Sequence, residues 1–278
     1  MRKPTDICLL CQVNPATKTK SHIFPKFLST NFLGPKGTLR KGFELSSDKV
    51  LDKKPRVIQD SPKEDYILCE ECEAYFSVLE SIASQVFGNW QQKVAIGEFS
   101  LNKNKIINDL QILECNSAHK PTVHLFTYSI FWRVSISSYP LFKNFKITDD
   151  FEEELRQVLI FHRHTNKNDY LNALATNPNF KIYPWSVISA KSFVDDTANM
   201  LFAPFSYDHY CIVIDRFSFI LFRTADDIKK YSIREFSNLQ VGDCRMMILS
   251  QQLWHNIIVE NTYNLLVKQA VENKRNNC

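Results

Sequence analysis

Two cysteine pairs, Cys8-Leu9-Leu10-Cys11 and Cys69-Glu70-Glu71-Cys72, carry the clearest chemistry in this chain. A two-residue spacing lets both thiolates and the intervening N–H groups wrap one ion, and two such pairs supply a closed tetrahedral set of four sulfurs. A closed set has no open position for water. The metal expected there is therefore a structural Zn2+, clamping the ends of a 57-residue excursion. Cys115, Cys211, Cys244 and Cys278 have no partner spacing. They read as buried small apolar groups or, for the last, an exposed tail thiol.

Inside the excursion lies KSHIFPKF, residues 20–27, with a single histidine. A neutral imidazole with a pKa near 6.5 can take a proton at neutral pH, so His22 is chemically able to act as a base, although a lone histidine is more often ordinary surface or core. Lys18, Lys20, Lys26, Lys36, Arg40 and Lys41 surround it in sequence. In a nucleic-acid-binding protein they would neutralise phosphates without reading bases. Residues 1–63 hold 13 Lys or Arg against five acids, a charge of +8, whereas the remainder carries −4 and the whole chain +4. A basic module on a mildly acidic body suits a polyanion partner for the first part, the alternative being a solvated lysine-rich loop. Phe24, Phe27 and Phe32 read as the small core of this module.

The elements that must position these residues follow from periodicity. Phe76, Leu79, Ala83, Val86 and Phe87 recur at helical spacing from Glu73 to a stop near Gly88. Glu73 and Glu80, seven apart, fall within about 20° on that helix and border its apolar face. They could hold a divalent cation, Mg2+ or Mn2+, facing the strand of His22, or be solvated acids with Glu73 complementing the helix dipole. Residues 36–65 are polar and broken by Pro and Gly, a long loop with at most a short hairpin. A short helix is expected over 106–113. Residues 123–137 are apolar almost all round, a buried helix whose β-branched residues would also suit a strand. Asp149 and Glu152 form a capping box ahead of Phe151, Leu155, Val158 and Leu159. YCIVID and FSFILF, split at Asp215–Arg216, predict a hairpin, and CRMMILSQQ a strand leading into a last helix. In that helix Leu253, Ile257, Ile258, Leu265 and Leu266 mark the buried face. The Asp–Asp pairs at 149–150, 195–196 and 226–227 adjoin turns or helix starts, where acids cap, and the remaining histidines are scattered.

Taken in order, a Cys-x2-Cys, a basic segment with SHIFP, a glycine-containing loop and ILCEECE opening a helix resemble a zinc-containing HNH endonuclease, the ββα-metal or His-metal finger. The resemblance covers about residues 5–90. It implies His22 as the general base for phosphodiester hydrolysis, Pro25 at the strand end, and Cys8, Cys11, Cys69 and Cys72 as zinc ligands. It is incomplete: Ser21 stands where many members place an acid, Glu73 replaces an Asn, and no histidine follows on the helix. Glu73 and Glu80 are the substitutes at hand for a catalytic Mg2+ or Mn2+. The implied organisation is α+β: a zinc-stapled ββα-metal module over 1–92, then a mixed helical and antiparallel-strand body over 93–278. The implied activity is metal-dependent hydrolysis of DNA, with double-stranded DNA as partner. The body is similar to those appended to HNH modules in bacterial proteins, some of them in antiphage systems, and could dock a protein partner. The alternative is a catalytically silent zinc module that binds nucleic acid or protein.

Composition bounds these readings. A hydrophobic share of 44% and a charged share of 23% are ordinary for a globular chain. No apolar run is long enough to span a bilayer and MRKPTDIC lacks a signal peptide's apolar stretch, so a cytoplasmic protein without membrane contact is expected. No GxxxxGK[ST] or GxGxxG exists, which removes both common phosphate cradles.

Overall fold

The computed structural model describes residues 2–33, 41–51, 55–177, 179–191, 200–206 and 208–276. Its elements, in chain order, begin with β1 (Ser21–His22), α1 (Lys26–Leu33), β2 (Gly42–Leu45), α2 (Ser47–Val50), β3 (Arg56–Ile58), β4 (Lys63–Glu64) and α3 (Glu70–Phe87). There follow α4 (Trp90–Ala95), β5 (Ser100–Lys103), β6 (Leu110–Glu114), α5 (Lys120–Ile136), α6 (Asp149–Phe161) and α7 (Lys167–Thr176). The chain then runs through β7 (Trp185–Ala190), β8 (Met200–Phe202), β9 (Phe205–Ser206), β10 (Tyr210–Ile214), β11 (Phe217–Leu221) and β12 (Arg245–Leu249). It closes with α8 (Gln251–Trp254), a π-helical turn (His255–Glu260) and α9 (Asn261–Asn276). The architecture is α+β.

Among the described residues, β1 and β4 form a two-stranded antiparallel ladder with Ser21 opposite Glu64 and His22 opposite Lys63. A second, mixed sheet runs β3-β2-β8-β10-β11-β7-β12-β6-β5, with β9 added on β10; β2–β8 and β7–β12 are its parallel pairs. Helices cover both faces. Ile212, Ile214, Phe217, Phe219, Met246 and Ile248 point into one core with α3, α5 and α6. Cys211, Val213, Ile220, Met247 and Leu249 point into the other with α2 and the C-terminal helices. Burial on both faces is why these strands read as continuous apolar runs rather than alternating ones. The predicted hairpin is β10–β11, turning at Asp215 with φ 50°.

The larger core is continuous across residue 92. It joins the Cys pairs, Phe24 and α3 to α5 and the sheet, with Phe27 stacked on Phe126 and Phe24 edge-on to Phe142. Residues 122–135 of α5 are all buried, so the apolar 123–137 segment is a helix packed on every side. The helix predicted from Glu73 is α3, with Gly88 as its C-cap.

Three expectations are corrected. Residues 106–113 form no helix: Asn104 accepts the N–H groups of Ile106 and Ile107 in a turn, and Leu110–Glu114 pairs with β12. The Ile/Leu spacing there mimics a helix, but sheet pairing overrides it. No capping box forms: Thr148, not Asp149, is the N-cap residue, its side chain makes no cap bond, its carbonyl accepts from Glu152 N–H, and the Glu152 carboxylate accepts from Ser135. The last helix keeps Ile258 and Leu266 buried but leaves Ile257 43% exposed. The extra residue of the π turn at 255–260 shifts its apolar phase.

Candidate functional site

The four cysteines converge. Their sulfurs lie within 4.8 Å of one another, all but Cys11 deeply buried, and Cys11 Sγ is 3.9 Å from Cys69 Sγ. A tetrahedral ion with metal–sulfur bonds of about 2.3 Å needs sulfurs about 3.8 Å apart, so the set fits zinc. The Cys72 thiol donating to Cys8 holds Cys8 well below the usual thiol range and pushes Cys72 up. Four crowded sulfurs cannot all ionise until a cation neutralises them, which is the chemistry of a metal ligand set.

Local backbone explains the convergence. Gln12 takes φ 56° to close the first turn and donates to the Cys8 carbonyl, while Cys8 N–H bonds Asn14 and Leu9 N–H bonds Ile67. Cys69 caps α3, so Cys72 lies on its first turn. The body buttresses both turns. Arg156 of α6, paired with Glu153, donates to the Leu10 carbonyl at 2.7 Å, and Arg163 donates to Glu71 at 2.5 Å and lies 4.0 Å from Cys72 Sγ.

His22 sits on β1, half-buried, with Nδ1 2.9 Å from the buried hydroxyl of Ser61. When Nδ1 carries the proton and donates to Ser61, Nε2 is left as the free acceptor. Burial lowers the His22 pKa, and Lys63, directly across the ladder, lowers it further while Asp60 raises it. Ser61 and Lys63 also line an open groove of about 730 Å3 that includes Lys20, Arg56, Asp60 and Tyr139.

Adjacent strand residues point to opposite faces, and Ser21 faces the other way. Fully buried, it lies beside Glu73 on α3, where its hydroxyl lowers the carboxyl pKa without forming a well-aligned hydrogen bond. Burial is the larger influence and raises Glu73; the neighbouring Glu80 adds to this and Arg133 opposes it. Arg133, 1% exposed on α5, donates to Glu80 at 2.7 Å and to the His22 carbonyl at 3.0 Å. Helix α5 thus holds strand β1 and helix α3 in one bond network, and Glu64 of β4 is tied to its end through Ser137 and Ser138.

The predicted residues therefore fall into three groups: the cysteines; Glu73 and Glu80 around Ser21 and Arg133; and His22 with Ser61, Lys63 and Asp60. Among the described residues, the cysteines alone bring three or more His, Cys, Asp or Glu ligand atoms within reach of one ion. Of the predicted cations, Lys20 lines the groove and exposed Lys41 precedes Gly42, the partner of Ile58 in the groove wall. Lys18 pairs with Glu70 at 3.2 Å, Lys26 lies close enough to His22 to lower its pKa, and Lys36 and Arg40 lie outside the described residues. Sequence reasoning missed Ser61, Lys63, Arg56 and Arg133. The first three stand in a segment read as loop, and the last is hidden inside an apolar helix.

No family model, no curated protein and no solved structure matches this chain. Among the described residues no helix is long and apolar enough to cross a membrane. The fold and site define an α+β protein with a four-cysteine group suited to a metal ion.

Proposed function

We propose that the protein is a metal-dependent endonuclease that hydrolyses DNA phosphodiester bonds, with His22 as general base and the four cysteines holding a structural zinc. The carrying observation is the His22 ring itself: fixed at Nδ1 by Ser61, lowered in pKa, and set beside a groove lined by Lys20, Arg56 and Lys63. A two-stranded ladder followed directly by a helix, with cysteine pairs before the ladder and at the helix start, supports a ββα-metal reading of residues 1–92. In that reading Ser61 orients the imidazole, Nε2 takes the proton of water, and the lysines hold the phosphate in place. A divalent cation, Mg2+ or Mn2+, would neutralise charge on the phosphate when bound. Mg2+ is commonly held by one or two carboxylates with substrate phosphates completing its shell, the role proposed for Glu73 and Glu80. Arg133 already neutralises Glu80, and Glu73 lies beside Ser21 on the face of β1 opposite the His22 ring, so a cation bound there would sit across the strand from the imidazole.

The test is a plasmid-nicking assay with Mg2+ or Mn2+. His22→Ala should lower cleavage about 10²–10⁴-fold while keeping zinc content and DNA binding. Cleavage at the wild-type rate in that variant would remove His22 from the chemistry. One observation favours a second reading, a silent zinc module that binds nucleic acid or a protein through residues 93–278: Arg133 supplies in place the positive charge a catalytic cation would bring. A wild type that cuts neither duplex nor single-stranded DNA with any metal would support it. A role as an antiphage defence effector, acting in the cytoplasm, fits the nuclease reading.

A further inference from the structure

The groove beside His22 has a wall that phosphate binding alone does not explain. Arg56 on β3 lays its guanidinium over the Tyr139 ring, 5.8 Å from the centroid, and Phe142 backs that ring at 5.4 Å. The Tyr139 hydroxyl donates to Glu44, which is 3% exposed and lies 3.5 Å from Arg56. A buried carboxylate thus locks both partners of the stack. The Arg56 side chain stays 54% exposed.

The charges are largely matched. Asp60 pairs with Lys63 at 2.6 Å and Glu44 with Arg56 at 3.5 Å, while Asp65 accepts only the backbone N–H of Lys20 at 2.7 Å. A surface built only to hold the backbone of a duplex would carry uncompensated positive charge. At about 730 Å3 the open groove has room for a nucleotide. An exposed guanidinium held over an aromatic ring is a surface on which unpaired bases stack.

We infer that the Arg56–Tyr139 stack is a base-stacking platform, and that the substrate segment entering the His22 groove is unpaired, single-stranded nucleic acid. This rests on the groove being the substrate site of the proposed nuclease.

Fluorescence anisotropy of the full-length zinc-loaded protein tests it, using a labelled mixed-sequence oligodeoxynucleotide and the same strand in a blunt duplex. The wild type should bind the single strand more tightly than the duplex. Arg56→Gln should weaken single-strand binding about 10- to 100-fold, the worth of a stacked base, and leave duplex binding within about twofold. Arg56 is half exposed and the buried Glu44 keeps its bond from the Tyr139 hydroxyl when Arg56 is replaced, so zinc content and the circular-dichroism spectrum should not change. Arg56→Lys, which keeps charge but loses the plane, should be nearly as weak as Arg56→Gln. Wild-type affinity in Arg56→Lys, equal or tighter duplex binding by the wild type, or no single-strand binding would each overturn the platform. Binding in the His22→Ala background separates the two claims. Platform-dependent binding without cleavage by the wild type leaves the platform standing and removes the nuclease; His22-dependent cleavage confined to duplex does the reverse.

Discussion

His22 differs from an ordinary histidine through its neighbours. Burial and Lys63 depress its pKa, so the free imidazole dominates at neutral pH. If it is the general base, the acid limb of the cleavage profile lies below pH 6.5, where protonation removes the acceptor. Lys63→Gln should move that limb to higher pH, because it deletes a repelling charge and releases Asp60 from its ion pair. A pH profile of single-turnover cleavage checks this, and a limb unmoved or shifted to lower pH would contradict it.

At the scale of elements, α5 is the member on which the ladder and α3 depend. Its Arg133 neutralises Glu80 and satisfies the His22 carbonyl from a site closed to water. A buried pair contributes little net stability, yet removing one partner strands the other. Arg133→Met should therefore cost about 3–5 kcal/mol in urea unfolding, leaving the Glu80 carboxylate without its counter-charge. Adding Glu80→Leu to that variant should recover much of the loss. Equal stability of the single and double variants would show that the network is not cooperative.

For the whole molecule, buried neutral histidines set the response to acid. His124 and His162 are almost fully buried, and burial depresses each to about 4. His124 accepts the Trp185 indole N–H, while His162 Nε2 has no partner. A group whose folded pKa lies below its unfolded value contributes stability that is fully present above about 6.5 and lost as pH falls towards about 4. The two together amount to a few kcal/mol. Asp215, raised by burial to about 7, works in the opposite sense and contributes at low pH. Thermal melts between pH 7 and pH 4 should fall with acid, and the slope should lessen in His162→Gln. A melting temperature constant over that range would show that these groups titrate normally.

Some of this was written along the chain. The cysteine spacing is local chemistry and needs no tertiary partner to be read, and the helix ending at Gly88 and the β10–β11 hairpin follow from period and turn residues. The nearly all-apolar 123–137 segment could be nothing but interior, and α5 is that interior. What surrounds His22 could not be read this way. Ser61 meets it from 39 residues away and Arg133 from 111. The first contact exists because β1 pairs with β4 and the second because α5 is buried against α3, and periodicity carries no information about which distant side chain a fold brings within 3 Å. Glu73 and Glu80 show the same division. Helical geometry put them on one face, but only packing decided that an arginine from α5 would supply the positive charge beside Glu80.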